Sequence, residues 1–196
     1  MPNFRNVHKQ ETDFLRGYMV FFGAGRSKAS AEGIGADFKD KITELGGWHV
    51  SMMMQGETVP KESNPVRLST DKVDEWGIPQ LITSIGYDEN DERLLKDFLQ
   101  VGAELLDAAG CKNISSWDSR QSPGLDIHEM GGCRMGHDPK TSLLNKWNQM
   151  HHVKNVFVTD GACMTSTSTQ NPSLTYMAFT ARAVDYAVKE MKKGNL

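Results

Sequence analysis

The stretch His128-Glu-Met-Gly-Gly-Cys-Arg-Met-Gly136 and, downstream, Gln170-Asn-Pro-Ser-Leu-Thr175 hold the residues best suited to chemistry. An imidazole changes charge near neutral pH, so His128 can take a hydroxyl proton while hydride leaves the adjacent carbon. The Gly131-Gly132 pair lets backbone approach a flat ligand closely. Asn171 offers an amide that can hold the same hydroxyl. Pro172 behind it opens a helix whose free N–H groups and positive dipole end face whatever binds there. Each half also has a plainer reading. A histidine among small loop residues serves equally as a hydrogen-bonded surface group, and asparagine before proline is a common helix cap. Together, in this order and separated by a segment ending Thr-Asp-Gly161, they support proton and hydride removal from an alcohol far better than either alone.

These residues need elements to hold them. Asn155-Val-Phe-Val-Thr is a buried-type strand running into the Asp160-Gly161 loop. After Pro172 a long helix is expected, with Leu174, Met177, Ala178, Ala181, Val184, Val188 and Met191 as one continuous apolar stripe. In the first part of the chain, residues 14–24 read as an apolar strand and 36–45 as a short helix ended by Gly46-Gly47. Trp48 to Gln55 alternates, which places Trp48, Val50, Met52 and Met54 on one face of a strand. Short strands follow at Val66–Ser69 and Gln80–Ile85, around the turn residues of Trp76-Gly-Ile-Pro79. Asp88 to Ala109 is a helix by its acidic first turn, its stripe through Leu94, Phe98, Val101 and Leu105, and Gly110 beyond it. Strands interleaved with few helices, without regular βαβ alternation, give an α+β fold, mostly antiparallel sheet with flanking helices.

Other functions find less support. The 38% hydrophobic and 24% charged composition is that of an ordinary folded chain. A net charge of −3 without a basic cluster argues against nucleic acid as partner. No apolar run is long enough for a membrane span, and residues 1–14 lack the layout of a signal peptide. The three cysteines are too few and scattered for a disulfide framework. His128, Cys133, His137, His151 and His152 fit no zinc-ligand spacing, so no metal is expected. The methionines of Met52-Met53-Met54 read as plastic core filler. Trp48 reads as core, with sugar stacking the less favoured role; His49 is its neighbour on the same strand.

At this point the sequence resembles the C-terminal part of the glucose–methanol–choline (GMC) family of FAD-dependent oxidoreductases. His128-x-x-Gly-x-Cys-Arg-Met-Gly, Asn155 through Gly161, and Asn171-Pro-x-Leu-Thr with the helix through Tyr186 match that family's closing segment in order and spacing. The resemblance is specific over roughly 126–193 and looser over 1–125, where Asn64-Pro-Val-Arg-Leu and Asp74-Glu-Trp-Gly-Ile-Pro look like substrate-domain strands. It implies a substrate-binding domain over 1–125 and an active-site segment over 126–196 returning to an FAD-binding domain. It implies His128 as the base and Asn171 as its hydrogen-bonding partner. Asp160, Gly161, Asn171, Pro172, Ser173 and Thr175 would then lie along the FAD, with a sugar, glycoside or other alcohol as substrate.

The dinucleotide fingerprint of that family is G-x-G-x-x-G between strand and helix. Gly23-Ala-Gly-Arg-Ser-Lys and Gly33-Ile-Gly-Ala-Asp-Phe lack its third glycine. The expectation is a chain that needs an FAD-binding half supplied from elsewhere in the enzyme and does not retain FAD alone. Without that half the C-terminal stripe must be covered by self-association or by the chain's own sheet. A non-catalytic carbohydrate-binding lobe is the alternative.

Overall fold

Phe14, Tyr18, Val20 and Leu94 form an apolar core, with Phe4, Met52, Met54 and Phe98 packed around it. The computed structural model of the chain describes residues 3–125 and 127–196. The core sits where a long hairpin meets a helix. Strand β1 (Tyr18–Lys28) pairs antiparallel with β2 (Leu45–Gly56), and a short helix α1 (Ala36–Lys41) lies in the connection. Alternation puts Tyr18, Val20, Met52 and Met54 on the face toward α2 (Glu89–Ala108). Phe4 and Phe98 flank the Tyr18 ring at 5.6 and 5.7 Å. The Tyr18 hydroxyl donates to Asp97 at 2.6 Å, and Arg5 grips the same carboxylate through two 3.0 Å bonds. Burial, followed by that bond to Asp97, pushes the phenol above its ordinary range.

A second antiparallel pair, β3 (Val66–Val73) with β4 (Pro79–Thr83), turns around Asp74, whose carboxylate accepts from Trp76 and Ile78 amides at 2.9 Å. Helix α2 starts at an Asp88 capping box: Asp88 accepts from the Asn90 and Asp91 amides while Asp91 accepts from the Asp88 amide. Two antiparallel pairs and flanking helices bear out the α+β expectation.

The C-terminal third is built differently. The strand expected over Asn155–Thr159 does not form; a single antiparallel bridge, Gln149 to Phe157, takes its place. Asn148 sets the reason. Its backbone is left-handed at φ 62°, which breaks the ladder after one bridge. Fully buried, it donates from Nδ2 to the Val158 carbonyl at 3.0 Å and accepts at Oδ1 from Arg182 at 2.9 Å. Polar bonds from one buried amide therefore do the work expected of a strand pairing.

Helix α3 (Ser173–Lys192) packs by Tyr176, Ala183 and Tyr186 onto this segment, with Trp147 stacked on Tyr186. Its apolar stripe faces away: Leu174 is 78% exposed and Met177 67%. Of the two covers expected for the stripe, self-association or the chain's own sheet, the sheet is not used. The inner face won because Tyr176, Arg182 and Tyr186 each find a specific partner there. Trp48 is likewise no core residue; its ring is 73% exposed beneath the Arg26 guanidinium.

Candidate active site

Strand β2 brings Gln55 to the site. Because Met52 and Met54 face the core, alternation turns Gln55 to the opposite side of the sheet. There its Nε2 lies 2.8 Å from His128 Nδ1, with both side chains half-buried. The residue before His128, Ile127, holds φ at 56°, a left-handed conformation that costs a β-branched residue about 1–3 kcal/mol. The loop thus needs outside contacts to keep the histidine in position. Gly131 follows at φ 90°, a backbone that glycine adopts without that cost.

Those contacts come from the Asp160–Cys163 turn and the first turn of α3. The Cys133 amide donates to the Ala162 carbonyl and the Met135 amide to the Cys163 carbonyl, both at 2.9 Å. Gly161 is buried between them; a Cβ there would stand 2.8 Å from the Glu129 carbonyl oxygen and from the Tyr176 hydroxyl. Tyr176 in turn contacts the Met130 sulfur at 3.8 Å. Burial first, then the negative charge of Asp160, raises the Tyr176 phenol above its ordinary value and keeps it a donor. The histidine loop, the glycine turn and the start of α3 are therefore one packed unit.

The Asp160 carboxylate accepts from the Ala162 amide at 2.9 Å and caps the 3-10 turn Gly161–Cys163. The start of α3 departs from expectation. Pro172, buried, is the residue at the cap position; Asn171 lies one place outside, exposed, and the helix has no side-chain cap. Asn171 is thus not the cap that Asn-Pro suggests, and its amide is not committed to the first turn. The leading N–H groups of the helix, around the exposed Ser173 and Thr175, keep their donors.

Two elements of this geometry escaped sequence reasoning. Gln55 was legible only as the odd-face residue of an alternating strand, and Asn148 only as one asparagine among several. Two other histidine and cysteine side chains have structural surroundings. His151 Nε2 lies 3.2 Å from both the Ser142 hydroxyl and the Gly136 carbonyl. Cys163 is fully buried, and burial pushes its thiol up, away from nucleophilic use. Among the described residues no group of three or more His, Cys, Asp or Glu side chains could hold a metal ion.

Known proteins of similar sequence share this part of the chain. A family model described as GMC oxidoreductase matches residues 60–180. The 2-methyl-1,2-propanediol dehydrogenase of Mycolicibacterium austroafricanum is 34% identical over 152 residues, 78% of this chain and 27% of that protein. The fructose dehydrogenase large subunit of Gluconobacter japonicus is 30% identical over 173 residues, 87% of this chain and 31% of that protein. Paromamine 6'-oxidase of Streptomyces fradiae is 36% identical over 124 residues, 63% of this chain and 23% of that protein. The chain therefore spans between 23% and 31% of the length of these curated relatives.

Proposed function

Because the chain belongs to the GMC oxidoreductase family, we propose that it forms the substrate-binding and active-site portion of an enzyme oxidising a CH–OH group. The observation that carries this reading is the packing of the loop that follows His128, through Glu129 and Met130, onto the Gly161 turn and onto Tyr176 in the uncapped first turn of α3. Residues 1–125 would supply the substrate-binding domain and 126–196 the active-site segment. The relatives, by name dehydrogenases of a diol and of fructose and an oxidase of paromamine, favour a sugar, glycoside or other small alcohol.

In this reading the alcohol O–H proton passes to the His128 imidazole as the C–H bond breaks and a carbon–oxygen double bond forms. FAD, when bound, supplies the acceptor for the departing hydride. Asn171 holds the hydroxyl oxygen through its amide N–H and orients the carbon that loses hydride. The residues of this chain fit such a group at the helix start. Ser173 and Thr175 lie on an uncapped first turn whose N–H groups and dipole favour negative charge. Asp160, Gly161 and buried Pro172 complete the edge that would border it, while the N-terminal FAD-binding half of the enzyme would hold the nucleotide.

The test is anaerobic mixing of the FAD-loaded full-length enzyme with a panel of diols, sugars and glycosides. Bleaching of the flavin by at least one alcohol is expected. No bleaching, together with calorimetric sugar binding by this chain alone, would replace the enzyme with a carbohydrate-binding lobe.

A further inference from the structure

We infer that Gln55 is a positioning residue for His128, engaging Nδ1 so that the ring Nε2 takes the substrate proton. The inference rests on the reading of His128 as base. It starts from one contact: Gln55, locked in β2 opposite Met19, reaches the imidazole at 2.8 Å from a strand far away in sequence.

A neutral imidazole carries one hydrogen, and the partner of one nitrogen decides where that hydrogen sits. An amide side chain can present either end. With Gln55 Nε2 turned to the ring, Nδ1 accepts and the ring proton resides on the ring Nε2. A half-turn of the amide brings Oε1 to the ring; Nδ1–H then donates and the lone pair moves to the ring Nε2. Only this second arrangement makes Nε2 a base. It also survives the reaction. Once the ring has gained the alcohol proton both nitrogens carry hydrogen, and Oε1 alone can stay bonded at Nδ1. Gln55 thus has a resting end and a working end, and the working end serves both the base and its charged product.

The contact also sets the distance between substrate sheet and base. Gln55 shares its sheet face with Met53, which is 63% exposed, so an alcohol lying on that face meets the ring that Gln55 orients.

Nitrogen-15 spectra of histidine-labelled chain distinguish the two neutral tautomers without substrate or cofactor, the His128 signal being assigned by its loss in His128→Ala. The neutral ring of the parent chain should be mainly the Nε2–H tautomer that the resting end of the amide supports, Gln55→Leu should change that ratio, and Gln55→Glu, which can only accept, should give the Nδ1–H form. In the FAD-loaded enzyme, Gln55→Leu should slow flavin reduction about ten- to a hundredfold, part of what a positioned base contributes. Substrate KM should move less than about threefold, and Gln55→Glu should recover most of the rate. An unchanged tautomer ratio in Gln55→Leu, or parent reduction rates in both variants, overturns the inference. Failure of the base reading looks different: His128→Ala would then reduce flavin at the parent rate while the tautomer result stands.

Discussion

The indole of Trp147 lies flat on the phenol ring of Tyr186, with centroids 4.8 Å apart and planes 6° from parallel. Phe157 meets the same phenol edge-on at 6.4 Å, and one helical turn earlier Arg182 bonds buried Asn148. These contacts anchor α3 by its inner face and so fix where the helix begins. That beginning is one wall of the candidate site.

If the stack couples the helix to the segment beneath it, Trp147→Ala and Tyr186→Ala should not be additive. Urea unfolding of both single variants and the double variant should give a coupling of about 1 kcal/mol. Strict additivity would mean that the rings touch without holding the helix.

Gly161 is the position where the site has no room. Its added methyl would meet the Glu129 carbonyl oxygen and the Tyr176 hydroxyl, both at 2.8 Å, so Gly161→Ala must push the histidine loop off the helix. A loss of about 1–3 kcal/mol is expected from overpacking, with the His128 spectrum altered as well. A variant with parent stability and an unchanged His128 signal would show that the turn has slack.

The start of α2 should depend on pH in a definite direction. Partial burial alone would raise the Asp88 carboxyl, but bonds from Lys61 and from the first-turn amides outweigh it and leave the pKa lowered. A depressed folded pKa stabilises above the ordinary carboxylate range and is lost as pH falls through it, below about 4. Asp88→Asn keeps an acceptor for the cap but not the charge. Hydrogen exchange at the first turn of α2 should therefore distinguish parent from variant at neutral pH, with the difference vanishing in acid. A difference that persists in acid would contradict the ionic account.

The exposed stripe of α3 should contribute little to folding of this chain and much to its association. Met177→Glu with Val188→Lys should leave unfolding free energy within about 0.5 kcal/mol, since both positions are open to solvent. We expect the parent to self-associate in sedimentation experiments and the double variant to do so less. Stability lost on substitution, with unchanged sedimentation, would mean that the stripe packs within the chain.

Local signals were legible in the sequence, and long-range polar ones were not. The acidic first turn, the stripe through Leu94 and Phe98, and Gly110 beyond it placed α2 to within a residue or so, because these cues are local in the sequence. The alternating run from Trp48 to Gln55 indicated a strand; its burial pattern did not follow, because α2 covers only the Met52–Met54 end and leaves Trp48 exposed. Val156-Phe157-Val158 has the composition of a strand, yet the left-handed Asn148 denies it a ladder. Of the site, the histidine and the asparagine were visible by type and order. The Gln55 contact was not, because Gln55 meets His128 through tertiary folding and glutamine carries no pattern of its own.

The central claim is that His128 takes the substrate proton, and its most direct test is flavin reduction measured in a single turnover with His128→Ala. The rate should fall by about two to four powers of ten, the contribution of a well-placed base, while substrate affinity changes little. A rate equal to the parent's would contradict the account and remove His128 from the chemistry.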